Sequence, residues 1–439
     1  MNMRVKISEL NNYYGSEVTI KGFVEKVRDL QPVIFIVIRD LTGKVQLTIE
    51  KSDKNNEKII NQVAGLTNES TVTVKGTVIE NDKVKLNGME IHPTDVIVTS
   101  LSKEEIPIDL KNKEKSLRET RLDYRFLDLR REENILLFKA QTALENAMRE
   151  YWLKEEFIEI HSPKIAKGAA ESGAEVFKLD YFGTEACLSQ SPQFYKQMAM
   201  AAGFGSIFEI GPAFRAENSH TSYHATEINM ADTEISFIDD EYDIMDFQER
   251  WMKYSLSKLK EIYGNEIKET FGVEISNTNV SFPKITFRDA KRILKEEFNY
   301  VGEKEDDFER KEENLICKYV KEKYGSDFVF VTKFPYSARP FYHMLDEEGL
   351  TRSYDLLYKG IEITTGAQRE HRPEILTKQM EEKGIDPKSL DFYVDFFRYG
   401  CPPHGGFGFG IARLVMQIFE IDNIREATFI YRGPNRLNP

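Results

Sequence analysis

The sequence predicts an α+β chain of two domains: a small N-terminal β-barrel, then a larger domain with a mostly antiparallel sheet flanked by helices. Three observations predict it. The first hundred residues read as five short strands with one helix after the third. A charge-rich stretch follows near residues 107–131. Beyond it, helical and strand patterns mix without the regular alternation of a parallel βαβ domain. At 439 residues, the chain exceeds the size at which a single core keeps growing.

The barrel strands come first. Val18–Val24 is β-branched and half alternating, and Val33–Ile38 is a continuous apolar run. Val45–Ile49 alternates cleanly, and Asp40-Leu41-Thr42-Gly43 reads as the hairpin turn before it. A helical patch at Asn56–Ala64 separates these from Val72–Ile79 and Asp95–Thr99. That order matches an OB-fold, a five-stranded barrel that binds single-stranded nucleic acid. The predicted division is therefore 1–106 for the barrel, 107–131 for a hinge and 132–439 for the second domain.

The second domain opens with an amphipathic helix, marked by Leu137, Ala140, Leu144, Ala147, Met148 and Tyr151. The helix runs into Phe157–Ser162, a strand closed by Pro163. Strand patterns recur at Ser206–Phe214, Glu227–Ile238, Phe328–Lys333 and Tyr354–Thr364, with helices at Glu241–Tyr263 and Phe287–Glu297.

Composition narrows the function classes. Apolar residues make up 41% and charged residues 30%, which suits a packed globular chain. No run of about 18 apolar residues is present, nor an apolar stretch after Met1–Lys6, so neither a membrane span nor a secretory signal is expected. Three widely spaced cysteines, Cys187, Cys317 and Cys401, fit a reducing cytoplasm without a disulfide framework. The net charge of −13 weighs mildly against a nucleic-acid partner. Against it stands the basic stretch of Lys111, Lys113, Lys115, Arg118, Arg121, Arg125, Arg130 and Arg131, which reads equally as a solvated linker or an RNA-facing surface.

Four constellations carry chemistry. Phe214-Arg215-Ala216-Glu217 ends an apolar strand before a polar loop and His224, and a guanidinium there suits a phosphate. Asp355 and Glu362 flank Lys359-Gly360 on two strand-like stretches, a plausible magnesium site for a nucleotide. His404–Leu414 is a glycine-dense strand entering a helix with Arg413 on its first turn. Ser191-Pro192-Gln193 precedes Lys196 at the start of an apolar helix. Taken singly, each has a bland reading as salt bridge, solvated carboxylates, packing glycines or surface lysine. Their occurrence in one order over one domain shifts the balance.

In that order, the unit closed by Pro163 resembles motif 1 of class II aminoacyl-tRNA synthetases, Phe214–Glu217 resembles motif 2, and Gly408–Arg413 resembles motif 3. The barrel, with Arg28-Asp29-Leu30, Phe35, Arg39-Asp40 and Gln46, is similar to the anticodon-binding domain of the aspartyl/asparaginyl/lysyl subgroup. Ser191-Pro192-Gln193 with Lys196, and Gly366–Arg372, are similar to the aspartyl enzymes of archaeal and eukaryotic type. The resemblance implies a homodimer that joins L-aspartate to tRNA-Asp, and in some members tRNA-Asn, using ATP and Mg2+. It implies that Lys196 and Arg369 meet the side-chain carboxylate, Asp232 and Glu171 the ammonium, and Ser191, Gln193, Thr365 and Gly366 the rest of aspartate. Arg215, Glu217 and Arg413 become the catalytic residues, the two arginines on the phosphates and adenine, with His224, Glu362 and Gly410 completing the ATP site they share. Asp355 and Glu362 become the metal ligands, and Arg28, Phe35 and Gln46 the anticodon readers. Ala412, Ile228, Asn218, Tyr223, Ala367, Tyr431 and Gly433 depart from the pattern. An asparagine-activating enzyme, and a divergent paralogue with an RNA-binding or amide-forming role, stand as alternatives.

Overall fold

A computed structural model describes residues 4–167 and 175–439. The chain divides into two compact units, Met1–Thr120 and Arg121–Pro439.

The first unit is a closed barrel of β1 (Glu17–Asp29), β2 (Val33–Asp40), β3 (Gly43–Glu50), β4 (Thr71–Glu80) and β5 (Met89–Ser100), in the order β1-β2-β3-β5-β4. Helix α1 (Glu57–Val63) follows β3, as the sequence predicts. Alternation decides the inside: Ile34, Ile36 and Ile38 from β2 and Val45, Leu47 and Ile49 from β3 fill the core. The intervening Val33, Phe35 and Val37 face outward although the run looks uniformly apolar. The Asp40 carboxylate accepts backbone N–H bonds from Thr42 (2.7 Å) and Gly43 (3.0 Å), which tightens the β2–β3 turn.

The stretch 107–131 is not simply a hinge. It contains α2 (Arg118–Asp123) and α3 (Arg125–Asp128), which precede α4 (Glu132–Lys154). Three of its cations are neither solvated nor available to RNA: Arg121, Arg125 and Arg131 are buried. Arg121 pairs with Glu426 at 2.6 Å. Arg125 pairs with Asp128 and donates to the carbonyls of Glu426 (3.2 Å), Thr428 (2.7 Å) and Phe429 (3.1 Å). Charge density along a sequence does not reveal that carboxylates and carbonyls three hundred residues away will bury it.

Next come β6 (Ile158–Glu159) and a small sheet of β7 (Ile165–Ala166), β8 (Lys178–Tyr181) and β9 (Thr184–Leu188). Then follow α5 (Gln193–Ala201), β10 (Ser206–Phe214), β11 (Glu227–Ser236), α6 (Glu241–Phe271), β12 (Lys284–Thr286), α7 (Phe287–Phe298) and α8 (Arg310–Tyr324). The chain continues through β13 (Phe328–Thr332), β14 (Ser353–Tyr358), β15 (Ile361–Gln368), α9 (Pro373–Glu382), α10 (Asp391–Arg398), β16 (His404–Gly410), α11 (Ile411–Ile418) and α12 (Ile424–Ala427).

Eight of these strands form the main sheet in the order β12-β13-β14-β15-β16-β11-β10-β6. Its interior is antiparallel, and only the edge pairs β12–β13 and β10–β6 are parallel. Helices α4 and α6 cover one face, where Trp152 stacks on Phe208 (centroids 4.4 Å) and Trp251 meets Phe407 and Phe409. Local signals mark the helix ends: Asp240 caps α6 and Gly272 closes it at φ 73°, while Glu309 and Glu312 form a capping box on α8. No described helix is long and apolar enough to cross a membrane.

Candidate active site

Strand β16 shows why the site forms where it does. Its residues alternate between phenylalanine and glycine, so Phe407 and Phe409 enter the core while Gly406, Gly408 and Gly410 leave the opposite face bare. A Cβ at Gly408 would lie 3.0 Å from Met230 Cε and 3.3 Å from Asp232 Oδ1. The floor is therefore backbone, flanked by side chains from neighbouring strands. Register puts Asp355, Thr365, Gly408, Asp232 and Glu209 in one row across five strands, so all five share a face.

Above this floor lies a cavity of about 330 Å³. Arg215, Arg339, Arg369 and Arg413 line it, with Glu217, Asp232 and Glu362 as its carboxylates. Of the residues expected at aspartate, Ser191, Gln193, Asp232, Thr365 and Arg369 line the wall. The Ser191 hydroxyl accepts the Gln193 N–H at 3.1 Å, setting the first turn of α5. Lys196 and Gly366 are not in the cavity wall, and Glu171 falls outside the described residues. All the residues expected at ATP (Arg215, Glu217, His224, Glu362, Gly410 and Arg413) line the same cavity.

Lys196 is 1% exposed. It donates to Asp232 Oδ1 at 3.0 Å, to the Phe407 carbonyl at 3.2 Å and to the Thr233 carbonyl at 3.3 Å, with Glu234 at 3.4 Å. Arg369 pairs with Glu234 through Nε at 2.9 Å and donates to the Gly406 carbonyl at 2.9 Å. Two cations and two carboxylates thus share one buried cluster. Burial raises the Asp232 carboxyl despite Lys196 beside it. Burial also works against the charge of Glu234, but Arg369 and Lys196 outweigh it and hold that carboxyl below its usual range. Glu234 has no flag in the sequence because it lies two residues beyond Asp232 in an ordinary strand pattern.

His343 extends this cluster toward the cavity. Its Nε2 lies 3.2 Å from Arg369 Nη1, and burial, then the charges of Arg369 and Arg339, keep the imidazole neutral well below its usual range. Arg339, Tyr342 and His343 line the wall from an irregular segment whose sequence has no periodicity to announce them.

At the other end, the single proton of Thr365 Oγ1 is shared between Asp355 Oδ1 at 2.8 Å and Glu362 Oε1 at 3.2 Å, which brings the two expected metal ligands together. Glu362 reaches the cavity. Asp355 sits behind it, paired with Arg339 at 2.6 Å. Burial, opposed by Arg339 and reinforced by Glu362, pushes Asp355 up to about 6. Arg413 Nη1 donates to the Glu362 carbonyl at 3.0 Å. His224 is lowered by burial and by the charge of Arg413.

On the barrel, Arg28, Phe35 and Gln46 line one outer groove together with Lys26, Lys83 and Lys85. Arg28 and Phe35 are register partners on β1 and β2. Glu90, buried in the groove wall, accepts from Thr48 and from Gln46 (3.4 Å).

Comparison with known proteins agrees with this geometry. The family model described as "tRNA synthetases class II (D, K and N)" matches residues 117–431, and that of the "OB-fold nucleic acid binding domain" matches residues 18–99. The chain belongs to the class II tRNA synthetases, with an OB-fold domain ahead of the catalytic one. More particularly, it is 42% identical to an aspartate–tRNA(Asp) ligase of Pyrococcus horikoshii, over 98% of this chain and 97% of that one. It is 38% identical to an aspartate–tRNA(Asp/Asn) ligase of Thermus thermophilus, with both chains fully covered. Among solved structures it resembles asparaginyl-tRNA synthetase from Pyrococcus horikoshii complexed with asparaginyl-adenylate (TM-score 0.92, 33% identity, 100% of both chains). It also resembles aspartyl-tRNA synthetase from Entamoeba histolytica (TM-score 0.88, 32% identity, 100% of this chain and 93% of that one).

Proposed function

We propose that this chain is an aspartate–tRNA ligase, activating L-aspartate with ATP and passing it to tRNA-Asp. The observation that carries the reading is the cavity with four guanidinium groups and a bare backbone floor. It suits two substrates that together bring a triphosphate and two carboxylates. In the first step the aspartate α-carboxylate attacks the α-phosphorus, a P–O bond forms, and the bond to pyrophosphate breaks. In the second, a ribose hydroxyl of the tRNA's terminal adenosine attacks the mixed anhydride and AMP departs. No side chain needs to act as nucleophile; Arg215 and Arg413 position the phosphates and stabilise their charge. Arg369 with Lys196 behind it receives the side-chain carboxylate, while Asp232, Ser191, Gln193, Thr365 and Gly366 complete the aspartate site.

Asp355 and Glu362, bridged by the Thr365 hydroxyl, make a set of hard oxygen donors that fits a divalent cation such as Mg2+. When bound, the metal would offset charge on the outer phosphates. The barrel groove of Arg28, Phe35 and Gln46 takes the anticodon. A two-fold homodimer is built on Leu137–Pro163, where Leu153 and Ile158 leave apolar surface exposed. Aspartate-dependent pyrophosphate exchange, followed by charging of purified tRNA-Asp and tRNA-Asn, tests the function. Exchange with asparagine but not aspartate overturns it. Light scattering tests the dimer, and a monomeric mass counts against it.

A further inference from the structure

The loop between β10 and β11, residues 215–226, carries Glu217 and His224 on the cavity wall, and two side chains from distant segments press on it. Arg310, on the first turn of α8, donates to Glu313 at 3.1 Å and to the Gly360 carbonyl. Held so, its guanidinium carbon lies 5.2 Å from the centre of the Tyr223 ring, which itself lies 4.7 Å from the His224 ring. From the other direction, the buried Tyr431 donates its hydroxyl to the His224 carbonyl at 3.2 Å. Gly433 makes room for that ring: a Cβ there would lie 2.6 Å from Tyr431 Cε1. Tyr431 and Gly433, two separate departures in the sequence, are thus one matched pair.

We propose that Arg310 and Tyr431 are positioning residues for the nucleotide, clamping Tyr223-His224 so that the loop is already in its ATP-receiving form. The inference rests on the reading that this end of the cavity takes ATP. A loop ordered in the free protein spares the bound state the cost of ordering it, so each contact acts on ATP affinity. The apparent Kd rises as the competent loop conformation becomes less populated, while chemistry after binding is unaffected.

The experiment uses the full chain with Tyr431→Phe, Arg310→Met, Arg310→Lys and the double variant Arg310→Met/Tyr431→Phe. ATP affinity is measured by calorimetry without aspartate, and KM and kcat by pyrophosphate exchange. Tyr431→Phe and Arg310→Met should each weaken ATP about 3- to 10-fold, the span of one hydrogen bond or cation–π contact. The KM for aspartate and kcat should stay at wild-type values in both single variants, Tyr431→Phe should keep the wild-type Tm, and Arg310→Lys should recover most of the loss. In the double variant the losses should not multiply, because both act on one loop. Unchanged ATP affinity in both single variants, or an equal weakening of aspartate, overturns the proposal. A wild-type chain without aspartate-dependent exchange would overturn the assigned reaction instead, leaving the ATP titrations to decide the clamp.

Discussion

Glu234 lies between Arg369 and Lys196, accepting from the first at 2.9 Å and lying 3.4 Å from the second. The sequence expectation treats Lys196 and Arg369 as free cations awaiting a substrate carboxylate. In the folded chain both are already compensated from β11, by Asp232 and Glu234. On the proposed reading, selection for a side-chain carboxylate would depend on how this four-charge cluster redistributes, not on two uncompensated cations.

Lys196→Met should accordingly do more than damage catalysis. It leaves Asp232 and Glu234 buried with one cation fewer, a loss of about 3–5 kcal/mol by comparison with other broken buried pairs. We expect a lower urea midpoint together with a fall in aspartate activation of orders of magnitude. A variant with native stability and unchanged exchange kinetics would remove the main physical support for the aspartate assignment.

Phe35 faces the barrel groove, so Phe35→Ala should leave the fold and adenylate formation near wild type. Charging of tRNA should weaken by about 1–3 kcal/mol, the worth of one base stacked on an aromatic ring. Parallel loss of exchange and charging would refute a role confined to the anticodon.

Burial, then the charge of Glu362, raises the Glu313 carboxyl from 4.5 to about 7 against the opposing pull of Arg310. The folded state therefore holds this proton more tightly than the unfolded chain does. The group's stabilising contribution is full below the unfolded value of 4.5 and lost as pH climbs through about 7. Glu313→Gln should flatten the fall in urea midpoint across that window, and an unaltered profile would contradict the raised value.

Cys317 is buried and Cys401 half-buried, and burial pushes both thiols up to about 12. Neither should react quickly with a thiol reagent near pH 8, because the thiolate is the nucleophile. Rapid modification of the native protein at either position, located by peptide mass, would count against these environments.

The barrel was largely legible because alternation and turn chemistry are local. Residues at i and i+2 share a face, so the strands and the helix after β3 follow from neighbouring positions. Alternation is silent at Phe35, because a run of six apolar residues hides which half points inward. The cavity was legible where the sequence carries a dense local signal, as in Phe214–Glu217 and the glycines of β16. It was opaque where partners meet only through tertiary pairing. Glu234, Arg339 and His343 have no local pattern, and Arg310 and Glu313 are lost in a charged helix end. The sequence marks Lys196 and Asp232 for the site, but neither their pairing nor Glu234 beside them.

Arg125 has a consequence for biosynthesis. A ribosome makes this arginine 301–304 residues before the carbonyls that its guanidinium will need. Until residues 426–429 emerge from the exit tunnel, Asp128 is the partner already beside it, and its buried position cannot be completed. The barrel strands, by contrast, are all made by Ser100. The two units therefore mature in sequence: the first folds while translation continues, as N-terminal domains commonly do, and the second closes only once residues 426–429 are free to meet Arg125.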